Sequence, residues 1–194
     1  MHLSFTWRLF FIAGGLIVLW GVIPGNVAAA FEIGQGGYSV VSVLSGIACW
    51  TAGIWLFRRD NPSSLVIDRW LIFALVASLV QLLDLALIAL SPASQSAALT
   101  GIPFTWITAV ANPLYATAMI GLIWLAQREH ILGSKWIGWL GMIGVAGHGL
   151  AGILVAGAQL SWAMPLFYLI CALATWFILA GVWALRRNRT SQYA

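Results

Sequence analysis

Residues 68–90 read DRWLIFALVASLVQLLDLALIAL, and the reading of this stretch decides the fold. After Arg69 no charged residue appears until Asp84. A helix that crosses a hydrocarbon layer needs about 20 mainly apolar residues. Five more stretches meet that requirement, approximately 8–28, 38–57, 103–126, 136–158 and 163–185. Hydrophobic residues make up 62% of the 194 positions and charged residues 7%, whereas a soluble domain devotes about a quarter of its residues to charge. The sequence therefore predicts an all-α membrane protein, a bundle of six transmembrane helices forming one transmembrane domain over 1–194, with the lipid bilayer as its solvent.

Orientation follows from the nine Lys and Arg residues, because cytoplasmic flanks retain them during insertion. Arg8 precedes the first span, Arg58, Arg59 and Arg69 lie between the second and third, and Arg128 and Lys135 lie between the fourth and fifth. Arg186, Arg187 and Arg189 follow the sixth. All nine fall on one side, while the opposite connections around Glu32, Gln95 and Gln159 carry none. Both termini are expected in the cytoplasm. The net charge of +4 forms no basic stripe on a folded face, so nucleic acid is not an expected partner. Ala28, Ala29 and Ala30 after an apolar core resemble a secretory cleavage site; a retained first helix is the simpler reading.

Odd spans open with Trp beside a cation (Trp7-Arg8, Arg69-Trp70, Lys135-Trp136), and even spans close on related strings around Trp55, Trp124 and Trp183. This pattern fits three duplicated hairpins. It also fits ordinary cytoplasmic helix ends, where Trp sits at the interface and Arg just inside it, and that reading is preferred. Cys49 and Cys171 are isolated in apolar runs and read as small core residues.

Ionisable and amide side chains at membrane depth are costly, which makes them functional candidates. Asp84 is the one acid well inside a span; Gln81 precedes it by three residues, and Ser78 and Ala74 extend the same helical face. In the fourth span Thr105, Thr108, Asn112 and Tyr115 share a face, and Pro113 deprives the Ala109 carbonyl of its helical donor. In the fifth, His148 stands among Gly141, Gly144, Gly147, Gly149 and Gly152, which allow close helix approach. Counted from the outer helix ends, Asp84 lies at a depth of about 10 Å, Gln81 and Asn112 at about 13 Å and His148 at about 15 Å. The expectation is one polar cluster of Asp84, Gln81, Asn112, His148 and Tyr115 that binds a solute or couples protons, with Asp84 and His148 sharing a site. Interhelical hydrogen bonding explains the same residues without a ligand.

Known enzyme classes fit poorly. The string around His148 resembles the glycine-flanked histidine helix of rhomboid-like proteases, but their Gly-x-Ser-Gly nucleophile motif is missing; the nearest string, at Ser45 and Gly46, lacks its first glycine. One intramembrane histidine cannot supply a bis-histidine haem. No metal or other cofactor is expected. The opening RLFFIAGGL (8–16) and the later GSKWIGWLGMIG (133–144) resemble multi-pass bacterial membrane families of unknown function. That resemblance implies a bacterial inner-membrane location and six helices, with no assigned activity or site. The size also resembles the substrate-binding subunits of vitamin importers, without their docking motifs. The leading expectation is small-solute binding or transport, with proton coupling through this cluster. A noncatalytic accessory subunit, with a membrane-protein partner or a second copy as its contact, is the alternative, and an intramembrane enzyme stands third.

Overall fold

A computed structural model describes residues 6–30, 40–60, 65–90, 106–128 and 134–191, with side chains omitted for 24–30, 65 and 187–191. The chain is all-helical in these segments: α1 (Thr6–Ala30), α2 (Val40–Asp60), α3 (Leu65–Leu90), α4 (Trp106–Arg128), α5 (Lys135–Ala151) and α6 (Ile170–Ser191). Two irregular helical pieces join the last pair. α5 widens into a π-helical turn over Gly152–Gly157, and α6 is preceded by a 3₁₀ helix over Ser161–Leu169. Counting these extensions, six helices are long and apolar enough to span a membrane.

Each helix packs against its neighbours in sequence, and α6 returns to pack against α1, so the six close into a ring of three hairpins. Close contacts fix five of the six neighbouring pairs as antiparallel, and the alternation around the ring makes α2 and α3 antiparallel as well. A Cβ on Gly14 would meet Gly46 and Trp50, and one on Gly53 would meet Phe11. Gly15 approaches Ala174 and Gly181 approaches Arg8. Asp84 meets Thr108 while Trp70 lies over Gly121. Gly138 meets Gln127 and Gly152 meets Asn112, whereas Gly141 meets Trp176 and Gly147 meets Leu169. All the described Lys and Arg residues consequently gather at one end of the ring, here called the basic end.

Two polar ties brace that end. Arg58 grips Asp68 with a fork of two bonds, Nε to Oδ1 at 2.6 Å and Nη2 to Oδ2 at 3.1 Å, joining α2 to α3. Gln127 Nε2 donates to the Lys135 carbonyl at 2.9 Å, joining α4 to α5. Trp55 and Trp124 each carry an arginine four residues on over the ring face, Arg59 at 5.5 Å and Arg128 at 5.7 Å. The recurrence of this cation–π pair on α2 and α4 is the structural counterpart of the repeated strings.

Large aromatic side chains fill the middle and basic half of the ring. Trp50 stacks on Phe177 at 4.5 Å, and Phe177 meets Phe11 and Trp176 edge-on. Trp7 bridges Phe11 and Phe57 in the same way. Such edge-to-face pairs contribute about 0.5–1.5 kcal/mol each beyond the area they bury. An apolar cavity of about 20 Å³ remains between Phe11, Ile54, Leu71, Leu122 and Trp176, room for about one water.

The outer surface is apolar too. On α3, Val76, Leu79, Leu83 and Leu87 are exposed while Ser78, Gln81 and Asp84 on the opposite face are buried. The polarity of this helix is thus the reverse of that in a soluble bundle.

The sequence predicts plain helices over 136–158 and 163–185, and here the structure differs. Pro165 has no N–H to give the carbonyl of residue 161, and the segment winds as 3₁₀ for nine residues. At about 2.0 Å per residue, 3₁₀ winding carries the chain further than an α-helix of the same length. The reversal before it turns on Gln159, which has a left-handed φ of 56°. The neighbouring amides of Ala158 and Leu160 bond back to Ile153 and Leu154, both at 2.9 Å.

Candidate functional site

The site is built on the seam between α3 and α4. Thr108 Oγ1 donates to Asp84 Oδ1 at 2.8 Å, with both side chains fully enclosed. This bond sets the register: residue numbers on the two antiparallel helices add to 192 at that level. Trp70 over Gly121, fourteen residues further along α3, adds to 191, so the register holds along the seam.

Within that register Gln81 lies level with Ala111 and Ser78 level with Leu114. The nearest polar residues on the buried face of α4 are Asn112 and Tyr115, each offset by about 1.5 Å along the axis. Asp84 with Thr108, Gln81 with Asn112, and Ser78 with Tyr115 therefore form three successive levels of one polar seam. Six residues separate Asp84 from Ser78, so the seam runs for about 9 Å. It starts in the half of the ring remote from the basic end and stops at mid-length, where Tyr115 lies against the Trp50 indole. Beyond that point stand Trp50, Phe177 and Trp176.

Every member of the seam is buried, yet hydrogen bonding within it is incomplete. Gln81 Oε1, Asn112 Oδ1 and Ser78 Oγ have no hydrogen-bond partner among the described residues. Burying such a group in an apolar medium costs on the order of 1–3 kcal/mol. Within α4, Pro113 cannot supply the N–H that the Ala109 carbonyl would take in a regular helix.

α5 closes the seam from behind. A Cβ on Gly152 would stand 2.5 Å from Asn112 Cβ and 2.9 Å from the Thr108 carbonyl, so only glycine allows this approach. Asn112 Nδ2 reaches the backbone carbonyl of His148 at a long 3.5 Å. His148 is thereby tied to the cluster through its main chain. Its imidazole meets Phe167 of the 3₁₀ helix edge-on at 5.6 Å, and neither ring nitrogen has a hydrogen-bond partner among the described residues.

Of the residues singled out in the sequence, Asp84, Gln81, Asn112 and Tyr115 come together on one seam, and His148 borders it. Thr105, Glu32 and Gln95 lie outside the described residues. Thr108 shares the polar face in the sequence but does not stand out as a site residue there. The signal that identifies it is its pairing number with Asp84, which appears only once α3 and α4 are known to be neighbours. Among the described residues no group of three His, Cys, Asp or Glu side chains is placed to hold a metal ion. Comparison of the chain with protein-family models, curated proteins and solved structures finds no match.

Proposed function

We propose that this chain is a polytopic inner-membrane protein that binds or translocates a small polar solute through the α3–α4 seam. In this reading the basic end faces the cytoplasm with both termini, following the rule that Lys and Arg stay inside, and the seam opens toward the other side. The observation that carries the reading is the three-level run of buried polar side chains in continuous register, ending on an aromatic floor halfway through the ring. Interhelical adhesion needs each polar group to find a partner on the facing helix. Here Gln81 Oε1, Asn112 Oδ1 and Ser78 Oγ are left over. A polar ligand or water arriving along the seam would satisfy them.

The accessory-subunit reading needs small-residue surface to offer a partner. Gly14, Gly46, Gly141, Gly144, Gly147, Gly149 and Gly152 each face a neighbouring helix of the chain itself. That use of the glycines favours a self-contained bundle. Proton coupling belongs to the same proposal through Asp84, whereas the His148 imidazole is turned toward Phe167 and His148 meets the seam through its backbone carbonyl.

The test is thermal unfolding of the purified full-length protein against a panel of small amines, amides, polyols and carboxylates. One chemical class is expected to raise the midpoint saturably in the parent and not in a Gln81→Leu, Asn112→Leu variant. No response to any class, or an equal response in the variant, overturns the proposal.

A further inference from the structure

A separate pair of unpartnered polar groups lies at the basic end of the ring, on the first helix. Trp7 and Arg8 are consecutive residues of α1, and both are buried, with 3% and 7% of their surfaces exposed. The Arg8 guanidinium carbon stands 5.0 Å from the centroid of the Trp7 ring. Trp7 Nε1 and Arg8 Nε have no hydrogen-bond partner among the described residues. Indole and guanidinium nitrogens carry N–H groups and accept no hydrogen bonds, so the character of this pair is fixed: it can only donate. The three acids among the described residues are engaged elsewhere. Asp68 is gripped by Arg58, the Asp60 carboxylate lies 3.5 Å from Arg59, and Asp84 stands with Thr108 in the remote half of the ring. An enclosed cation without a counter-charge is costly, and an anion from outside the chain would remove that cost.

The neighbours show where such an anion would stand. Trp7 points into the ring, edge-on to Phe11 and to Phe57 of α2. Arg8 shares a helical flank with Gly15, which meets Ala174 and Ile178 of α6. The Arg8 carbonyl is itself 2.9 Å from a Cβ placed on Gly181, so Arg8 belongs to the α1–α6 seam at the basic end. On the outer side of that seam Leu9 and Leu16 of α1 and Leu179 and Trp183 of α6 are exposed, an apolar strip that suits acyl chains. The planar fork of a guanidinium matches two oxygens of a phosphate, and phosphate is the anion that lipid headgroups bring to this depth. We propose that Trp7 and Arg8 form a binding site for a phosphate group at the basic end of the α1–α6 seam, supplied by an anionic phospholipid headgroup or by free phosphate. Arg8 provides the charge and Trp7 Nε1 a neutral donor beside it.

The experiment uses the full chain, delipidated in a phosphate-free maltoside detergent, and counts bound molecules by native mass spectrometry. The probes are dioleoylphosphatidylglycerol, dioleoylglycerol, which lacks the phosphate, and inorganic phosphate. Saturable binding of at least one phosphate probe is expected, and none of dioleoylglycerol. Phospholipid binding that inorganic phosphate does not displace assigns the site to a headgroup, displacement shows that both sources reach it, and binding of inorganic phosphate alone assigns it to a soluble anion. Arg8→Met should abolish the binding. Trp7→Phe keeps the edge-on ring contacts and removes one N–H, and should weaken binding roughly tenfold. Arg128→Gln, exposed on α4 across the ring, should leave it unchanged. Where Arg8→Met does not fold, Trp7→Phe decides, with unchanged affinity as the refuting result. No saturable binding of either phosphate probe, dioleoylglycerol binding equal to that of the phospholipid, or binding that Arg8→Met retains would overturn the proposal.

Discussion

Two glycines five residues apart give opposite outcomes when changed to alanine. At Gly152 the new Cβ would lie 2.5 Å from Asn112 Cβ, 2.9 Å from the Thr108 carbonyl and 3.0 Å from Asn112 Cγ. Carbon atoms in contact prefer about 3.5–4.0 Å, so α5 must recede from α4 by about 1 Å. Two of the three obstacles belong to Asn112 and one to backbone, which leaves little to yield. Overpacking of this kind costs about 1–3 kcal/mol. The same shift would stretch the 3.5 Å bond from Asn112 to the His148 carbonyl beyond reach. At Gly157 the added Cβ would meet Ala109 Cβ at 3.5 Å, an ordinary contact. There the change should be neutral or stabilise by up to about 1 kcal/mol, the usual advantage of alanine over glycine in a helix. Reversible unfolding in mixed detergent, followed by tryptophan fluorescence, measures both. Equal stability of the two variants, or a more stable Gly152→Ala, would refute the packing of α5 behind the seam.

Thr108→Val keeps the shape of the side chain and removes its donor to Asp84, and should cost about 0.6–2 kcal/mol in the same unfolding assay, the range of interhelical hydrogen bonds in membranes. Arg58→Gln should cost no more than about 1 kcal/mol, because the pair it forms with Asp68 is about one-third exposed on each side and is screened by salt. Its effect should fade when the ionic strength is raised. Gln159→Gly relieves a left-handed φ of 56° and should raise stability by about 0.5–1 kcal/mol, read as a higher unfolding midpoint.

The six apolar helices were legible because the period of the chain hardly matters when lipid and core are both apolar; length and the placement of nine cations carry the information. The polar faces of α3 and α4 were legible as well, since Ser78, Gln81 and Asp84 recur at helical spacing, as do Thr108, Asn112 and Tyr115. Their meeting was not. A polar face shows which side of a helix is unusual and says nothing of which helix stands opposite. That depends on the ring closing through α1 and α6. His148 illustrates the limit. Its depth matches that of Asn112, yet the ring faces Phe167, and only its carbonyl takes part. The 3₁₀ lead into α6 was hidden because a single proline near a helix start is compatible with a regular first turn.

The central claim is a polar seam reached from the side opposite the basic end and closed halfway by aromatic packing. Single cysteines at Ser78, Gln81 and Leu71, in a background where Cys49 and Cys171 are alanine, test it with a membrane-impermeant thiol reagent applied to sealed vesicles of either orientation. Leu71 is buried among the apolar residues below the floor. The account predicts modification of Ser78→Cys and Gln81→Cys from the side opposite the basic end only, and none at Leu71→Cys from either side. Modification of Ser78→Cys and Gln81→Cys from the basic side, or their inertness from both, would contradict it.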